Sequence, residues 1–199
     1  MGTNAATYFQ SGEAHYQNGN YGMAIADLNQ AINLDPKYAR AYCLRGLAHI
    51  GKSDVNSAIT DYGQAIRLDP NYVAAYKNRA DAYHAIGNLE EAFADCDTII
   101  KKIDPSNVAT YFSRGIMYAE MGKLDAAIED FSSAIKLDGD NADLYLARAH
   151  AHRENREIDK AIPDIEAALK LDPNNADARN FLELAKKMQL AKNQLFGNT

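Results

Sequence analysis

Basic residues are in short supply. Lys and Arg number 21 against 27 Asp and Glu, leaving a formal net charge of −6. The cationic excess that draws a protein to nucleic acid or to an anionic membrane surface is therefore missing. Cysteine is scarce as well. Cys43 and Cys96 lie more than fifty residues apart and in no metal-ligand spacing, which argues against a disulfide framework and for a reducing compartment. No apolar run approaches the about 18 residues that suggest a membrane span. Met1-Gly2-Thr3-Asn4 has neither a charged n-region nor an apolar h-region, so the expectation is a cytoplasmic protein without a secretory leader. A Ser/His/Asp order, a Gly-rich phosphate loop and an HExxH run are all absent. No catalytic residue, metal ligand or cofactor site is expected, and the chain does not read as an enzyme.

What is present is repetition. Tyr8, Tyr42, Tyr76, Tyr111 and Tyr145 are spaced 34, 34, 35 and 34 residues apart. The same four intervals separate Ala24, Ala58, Ala92, Ala127 and Ala161, and again Asp27, Asp61, Asp95, Asp130 and Asp164. Pro36, Pro70, Pro105 and Pro173 recur in one phase, with Gly139 in the fourth place. The single extra residue falls in Ile99-Ile100-Lys101-Lys102-Ile103. A period in this range means stacked supersecondary units.

Inside a unit the period is helical. Tyr42, Arg45, Gly46 and His49 share one face of a helix, and Ala58, Ile59, Tyr62, Ala65 and Ile66 repeat the spacing. Short polar turns divide the halves at Gly19-Asn20, Gly51-Lys52-Ser53-Asp54, Gly87-Asn88 and Gly122-Lys123, with glycine expected to take the left-handed conformation that ends a helix. Asp35-Pro36 and its equivalents stop the second helix. Pro163 lies inside the fifth unit's second helix and predicts a local kink.

Tyr111-x2-Arg114-Gly115-x2-Tyr118 followed by Ala127-x3-Phe131 resembles the tetratricopeptide repeat, with tyrosine for its first aromatic and arginine for its leucine. Departures are Ala80 and Ala149 for glycine, Cys96 and Ile165 for the late aromatic, and Gly139 for proline. The resemblance covers residues 5–175. It implies an all-α fold: a right-handed α-solenoid of five helix-turn-helix repeats plus a C-terminal capping helix. The units expected are a disordered N-terminus at 1–4, repeats at 5–38, 39–72, 73–107, 108–141 and 142–175, and the cap at 176–196. In the cap, Ala178, Phe181, Leu182, Ala185 and Met188 form the face that covers the last repeat. Leu184, Met188, Ala191 and Leu195 form a second apolar stripe, and the Gly197-Asn198-Thr199 end is expected to fray.

Two columns read as architecture. His15, His49 and His152 share a position with Tyr83 and Tyr118, so they pack rather than bind metal, because ligands must converge and a solenoid spreads equivalent positions apart. Arg45, Arg79, Arg114 and Arg148, in phase with the aspartates Asp27, Asp61, Asp95, Asp130 and Asp164, predict a ladder of ion pairs between helices, arginine's planar fork suiting a carboxylate.

A ligand surface follows from phase. If each tyrosine and the residues three, four and seven further on face the core, those at one, five and eight lie about 100° around the helix. This stripe reads Phe9, Glu13, Tyr16; Cys43, Leu47, Ile50; Lys77, Asp81, His84; Phe112, Ile116, Ala119; Leu146, His150, Arg153. In tetratricopeptide domains the corresponding stripe resembles the inner groove. It reads as two apolar patches around a polar third unit, suited to a peptide or helical segment with spaced apolar anchors. Chaperone-binding family members grip a carboxylate terminus with Lys and Asn, then Asn, then Lys and Arg. Here Asn78 matches the middle asparagine, but Cys43, Leu47, Ala109 and Ser113 replace the rest, so no carboxylate clamp is expected. The expected function is a protein-interaction scaffold. A second reading is self-assembly through the ends and the C-terminal helix.

Overall fold

Each helix pair is delimited by its own local chemistry. The first helix, α1 (Ala5–Gln17), starts at Asn4, whose side chain accepts a hydrogen bond from the Thr7 amide at 2.9 Å. Asn107 does the same for Thr110 at the start of the helix Val108–Glu120, and Asp54 for Ser57 at the start of the helix Val55–Leu68. Such caps satisfy amides that have no partner within the helix. The computed structural model describes residues 4–196, with side chains as far as 194. Asn4, assigned from sequence to the disordered tail, is thus the cap of α1. Met1–Thr3, Leu195 of the second cap-helix stripe, and the Gly197–Thr199 end lie outside the described residues and side chains.

Two compact units are present, Met1–Pro105 and Ser106–Thr199. The first holds α1, α2 (Tyr21–Leu34), α3 (Ala39–Gly51), α4 (Val55–Leu68), α5 (Val73–Ala85) and α6 (Leu89–Thr98), which continues as a π-helical turn, Ile99–Ile103. The second holds α7 (Val108–Glu120), α8 (Leu124–Leu137), α9 (Ala142–Glu154), α10 (Ile158–Leu171) and α11 (Ala176–Phe196). There is no strand among the described residues. Within the units α2, α4 and α8 each pack both on their own first helix and on the first helix that follows, and α10 packs on α9 and α11, the stacking of an α-solenoid.

The turn inside every pair has one hydrogen-bond pattern. Backbone carbonyls of His15, His49, Tyr83, Tyr118 and His152 accept from the amides of Asn20, Asp54, Asn88, Lys123 and Glu157 at 2.8–2.9 Å. The residue before each of these amides is left-handed. In three pairs it is glycine: Gly19, Gly87 and Gly122, with φ of 70–80°. In the second pair it is Ser53 (φ 62°), not Gly51, and in the fifth Arg156 (φ 61°). Gly51 instead serves contact, since a Cβ there would come 2.6 Å from the Tyr21 ring.

The second helices end on aspartate. The Asp35, Asp69, Asp138 and Asp172 amides close the last helical turn on Ala31, Ala65, Ala134 and Ala168, and their carboxylates accept from Lys37, Asn71, Asp140 and Asn174. The third pair differs. Its extra residue is absorbed in the π-turn, where the Asp104 amide reaches back to the Ile99 carbonyl at 2.8 Å. Widening one turn adds a residue without rotating the rest of the helix out of phase, and Ile99 and Ile100 both stay buried. Pro163 does not end α10, which runs on to Leu171.

The arginine and aspartate columns meet within each pair. Arg45, Arg79, Arg114 and Arg148 each donate from Nε and Nη2 to both oxygens of Asp61, Asp95, Asp130 and Asp164, at 2.6–2.8 Å. The aspartates are buried. Charge-assisted pairing holds the Arg45, Arg79 and Arg148 guanidinium groups above their ordinary value, against the opposing effect of burial. Tyrosines flank the cations, with the Arg79 guanidinium carbon 5.7 Å from the Tyr76 ring and 5.8 Å from the Tyr83 ring. The first pair has Ser11 in place of arginine, and its hydroxyl donates to Asp27 at 2.6 Å.

Removing the carboxylate strands the cation. Asp95→Ala is expected to cost about 2–3 kcal/mol in chemical denaturation, below the full penalty of a buried pair because Arg79 keeps some water contact. Arg79→Leu should cost less than Arg79→Ala, because leucine retains apolar packing. Unfolding midpoints unchanged in all three variants would show the ladder to be energetically idle.

Candidate functional site

In the first unit, helical phase placed Phe9 and Cys43 in the ligand-facing stripe. Both are buried, at 6% and 3% exposure, because the first helix of the next pair covers them. Phe9 meets the Tyr38 ring at 5.0 Å and lies beneath Arg40. The Cys43 thiol accepts a long 3.7 Å hydrogen bond from the Asn78 amide, and burial pushes its pKa up. They are wall rather than anchor. The stripe's open part is the residues five and eight beyond each tyrosine.

Leu47 and Ile50 on α3 form one side of a pocket of about 240 Å³. Val55 and Tyr62 come from α4, and Asn78, Asp81, Ala82 and Ala85 from α5. Most of this wall is apolar. Asp81 accepts from Lys77 at 2.8 Å, so the two charges of the polar third pair neutralise one another. Glu13 and Cys43 border a second cavity of about 150 Å³, with Arg40, Tyr72 and Asn78. Tyr16 packs beside Tyr21 at 5.7 Å. His84 is half-buried on α5.

In the second unit the corresponding pocket measures about 170 Å³ and is lined by Ile116, Ala119, Phe131, Ala147, His150 and Ala151, with Glu120 and Glu154. Phe112 stands against Phe131 at 5.9 Å. The fifth pair's stripe is partly taken by the C-terminal helix. Leu146 packs into the core that α10 and α11 share, His150 stacks on Phe181 at 4.4 Å, and Arg153 lies over the same ring at 5.2 Å. Ala178, Phe181 and Ala185 are buried on that helix, but Met188, expected among them, is exposed. Lys192 and Gln189 fasten its far end to Asp159, and their hydrogen bonds hold that carboxyl below its ordinary value.

Sequence reasoning missed Val55, Tyr62, Ala82 and Ala85. The first two sit on a second helix and the last two one helical step from the stripe. The small residues opposite Leu47 and Ile116 were the available signal. Among the described residues no group of three or more His, Cys, Asp or Glu is placed to hold a metal, and no helix is long and apolar enough to cross a membrane.

Stacked helix pairs, a one-residue αL turn in each, and apolar pockets between successive first helices define a helix-pair repeat scaffold. Family models agree. One described as TPR repeat matches residues 12–53, 51–87 and 115–155, and one described as tetratricopeptide repeat matches 142–186. The chain belongs to the tetratricopeptide repeat family, whose fold serves in general as a scaffold for protein–protein interaction. Similar solved structures include a MamA protein, 21% identical with TM-score 0.76, covering 89% of this chain and 96% of that one. YrrB, described as a TPR protein with an unusual peptide-binding site, is 18% identical with TM-score 0.71 over 90% of this chain and 92% of its own. PilF of Pseudomonas aeruginosa is 19% identical with TM-score 0.77, over 98% of this chain and 93% of that one. At these identities the likeness concerns the fold. No curated protein sequence matches.

His150 keeps much of its surface open, but partial burial of its ring, which stacks on Phe181, and then the charge of Arg153 hold the imidazole below its ordinary value. A depressed histidine gives stability that is full above the unfolded value of about 6.5 and is lost as pH falls through the folded value. Phe181→Ala should return the His150 titration, followed by NMR, toward its ordinary range. It should also flatten the drop in melting temperature between neutral and mildly acidic pH. An unmoved titration would show that Phe181 is not the cause.

Proposed function

We propose that this chain is a non-enzymatic scaffold that binds an extended or helical peptide segment through apolar anchors seated between successive first helices. The observation that carries the reading is the first unit's pocket of about 240 Å³, with Leu47, Ile50, Val55 and Ala85 facing an opening rather than packed shut, above buried Ala82. An apolar recess rimmed by a few polar groups is the usual form of a recognition site, and helix-in-groove or extended-peptide binding reads such anchors at regular spacing. Leu47, Ile50 and Ile116 supply apolar contact, with Phe112 behind the second recess against Phe131, while Lys77, Asp81 and His84 set polarity; Leu146 and Arg153 are held by the C-terminal helix. Tyr16 packs on Tyr21, and Glu13 and His150 border the recesses. Phe9 and Cys43 support them from below.

With peptides selected from a random displayed library against the full chain, Leu47→Ala should weaken binding at least about 10-fold, the loss expected for removing one buried anchor. Circular dichroism should stay unchanged. Peptides that bind the variant as tightly as the parent would remove this site from consideration.

Self-association through the C-terminal helix is the second reading. Leu184 is 50% and Met188 42% exposed, and Ala191 is exposed on the same face. Sedimentation of the chain should then shift with concentration, and Leu184→Glu combined with Met188→Glu should abolish the shift. A concentration-independent monomer would retire the idea.

A further inference from the structure

The two apolar recesses are equivalent in the repeat but not in charge. Leu47 and Ala82 stand in the first where Ile116 and Ala151 stand in the second. The difference lies in the last residue of each first helix. Gln17, Gly51 and Ala85 end α1, α3 and α5, whereas Glu120 and Glu154 end α7 and α9. Both glutamates line the second unit's recess, and Ala85 holds the corresponding place in the first.

Neither glutamate helps its own helix. The C-terminus of a helix is the negative end of its dipole and favours cations, so an acidic last residue is locally unfavourable. That disadvantage is accepted twice, at the two positions that border one recess, and at none of the other three. Both residues are exposed, Glu154 with 53% of its side chain open. Arg153 approaches Glu154 at 3.8 Å, outside hydrogen-bonding reach, and its guanidinium lies over Phe181. His150 on the same rim is held below its ordinary value by partial burial and then by Arg153, so it is largely uncharged at neutral pH. Beneath the rim the lining is apolar, with Phe131 and Ala151 buried and Ile116 and Ala119 half-buried.

We propose that the second unit's recess is a subsite for a basic peptide side chain, lysine or arginine, whose apolar stem fills the recess and whose cationic head meets Glu120 and Glu154 at the rim. The volume, about 170 Å³, is below the roughly 300–1,000 Å³ of sites for whole small molecules and suits one side chain. Lysine and arginine lay their stems along apolar surface while keeping the charged head toward water, which matches an apolar lining beneath an open acidic rim. An acidic side chain would meet two like charges, and an aliphatic one would leave the rim unused. The formal net charge of −6 favours the approach of a basic segment. The first recess has no such preference, because its rim acid, Asp81, is already paired with Lys77 at 2.8 Å. The biological ligand rests on the peptide-binding reading, but the chemistry of the recess is tested apart from it.

The probes are n-butylguanidinium and the uncharged n-butylurea, titrated separately at neutral pH and low salt against the full methyl-labelled chain and followed by NMR. The guanidinium should shift the methyls of Ile116, Ala119 and Ala151 and bind there about 5-fold more tightly than the urea, the combined worth of two exposed charge contacts. At the Leu47 and Ile50 methyls the two probes should differ by less than about 2-fold. Raising the salt to about 0.5 M should bring the probes together at the second recess as well. Glu120→Gln combined with Glu154→Gln should do the same at low salt, with circular dichroism unchanged. Silent methyls in the second recess, equal affinities there, or an equal guanidinium preference at Leu47 would each overturn the proposal. So would a preference that survives the double variant or high salt. Library peptides that bind through Leu47 while the guanidinium leaves the second recess silent would sink the subsite alone. A clear guanidinium preference with no peptide captured would sink the peptide reading and leave the recess chemistry standing.

Discussion

Everything in the helix pairs depends on how closely their two helices can approach. A residue of the second helix lies directly over a small residue of the first: Tyr62 over Gly46 and Phe131 over Gly115, with no room for a Cβ beneath either ring, and Leu28 over Gly12 with a Cβ distance of 2.8 Å. That approach brings Arg45 of α3 within bidentate reach of Asp61 on α4. It also sets the first helices of neighbouring pairs side by side, leaving a recess where the residues between them are small. Ion pair and pocket are both products of one steric allowance.

The columns were legible because a solenoid writes its contacts at a fixed period. Tyrosine, alanine, aspartate and arginine recurred at positions that local helical geometry maps onto one seam, and the pairs that meet there are sixteen residues apart in every case where arginine is present. The insertion was visible as a broken interval at 99–103, which is where the π-turn lies. What a period could not reveal was the breadth of the second contact, between pairs. Phe9 and Cys43 lie in the same stripe as Leu47 and Ile50, yet the following first helix buries the former and leaves the latter open. A helix has no single inner face when it is flanked on two sides. Left-handed turns carried by Ser53 and Arg156 were likewise invisible, since the hydrogen bonds around them, and not the residue type, impose the conformation.

At the C-terminal end the same flanking principle applies to a helix that belongs to no pair. α11 presents Phe181 to His150 and Arg153, much as α3 covers Phe9. The fifth pair's stripe is consequently spent partly on architecture, and its His150 both rims the second unit's pocket and anchors the cap. Pocket rim and end-capping share a side chain there, which couples the openness of that recess to the seating of the terminal helix.

The arginine ladder also sets how far cooperativity can run. Arg45 does not stop at Asp61: its Nη1 donates to Asn29 of the preceding pair at 2.6 Å, and Arg148 reaches Ser132 in the same way at 2.9 Å. Below Arg79 the equivalent position is Gly63, which has no side chain to offer. In a linear array, stability is a sum of pair terms and nearest-neighbour terms, so the polar staple between the first and second pairs has no counterpart of its kind between the second and third. The two seams of the first unit are thus fastened differently: a short bond from a guanidinium holds the first, and the longer Asn78–Cys43 bond, at the wall of the recess, spans the second.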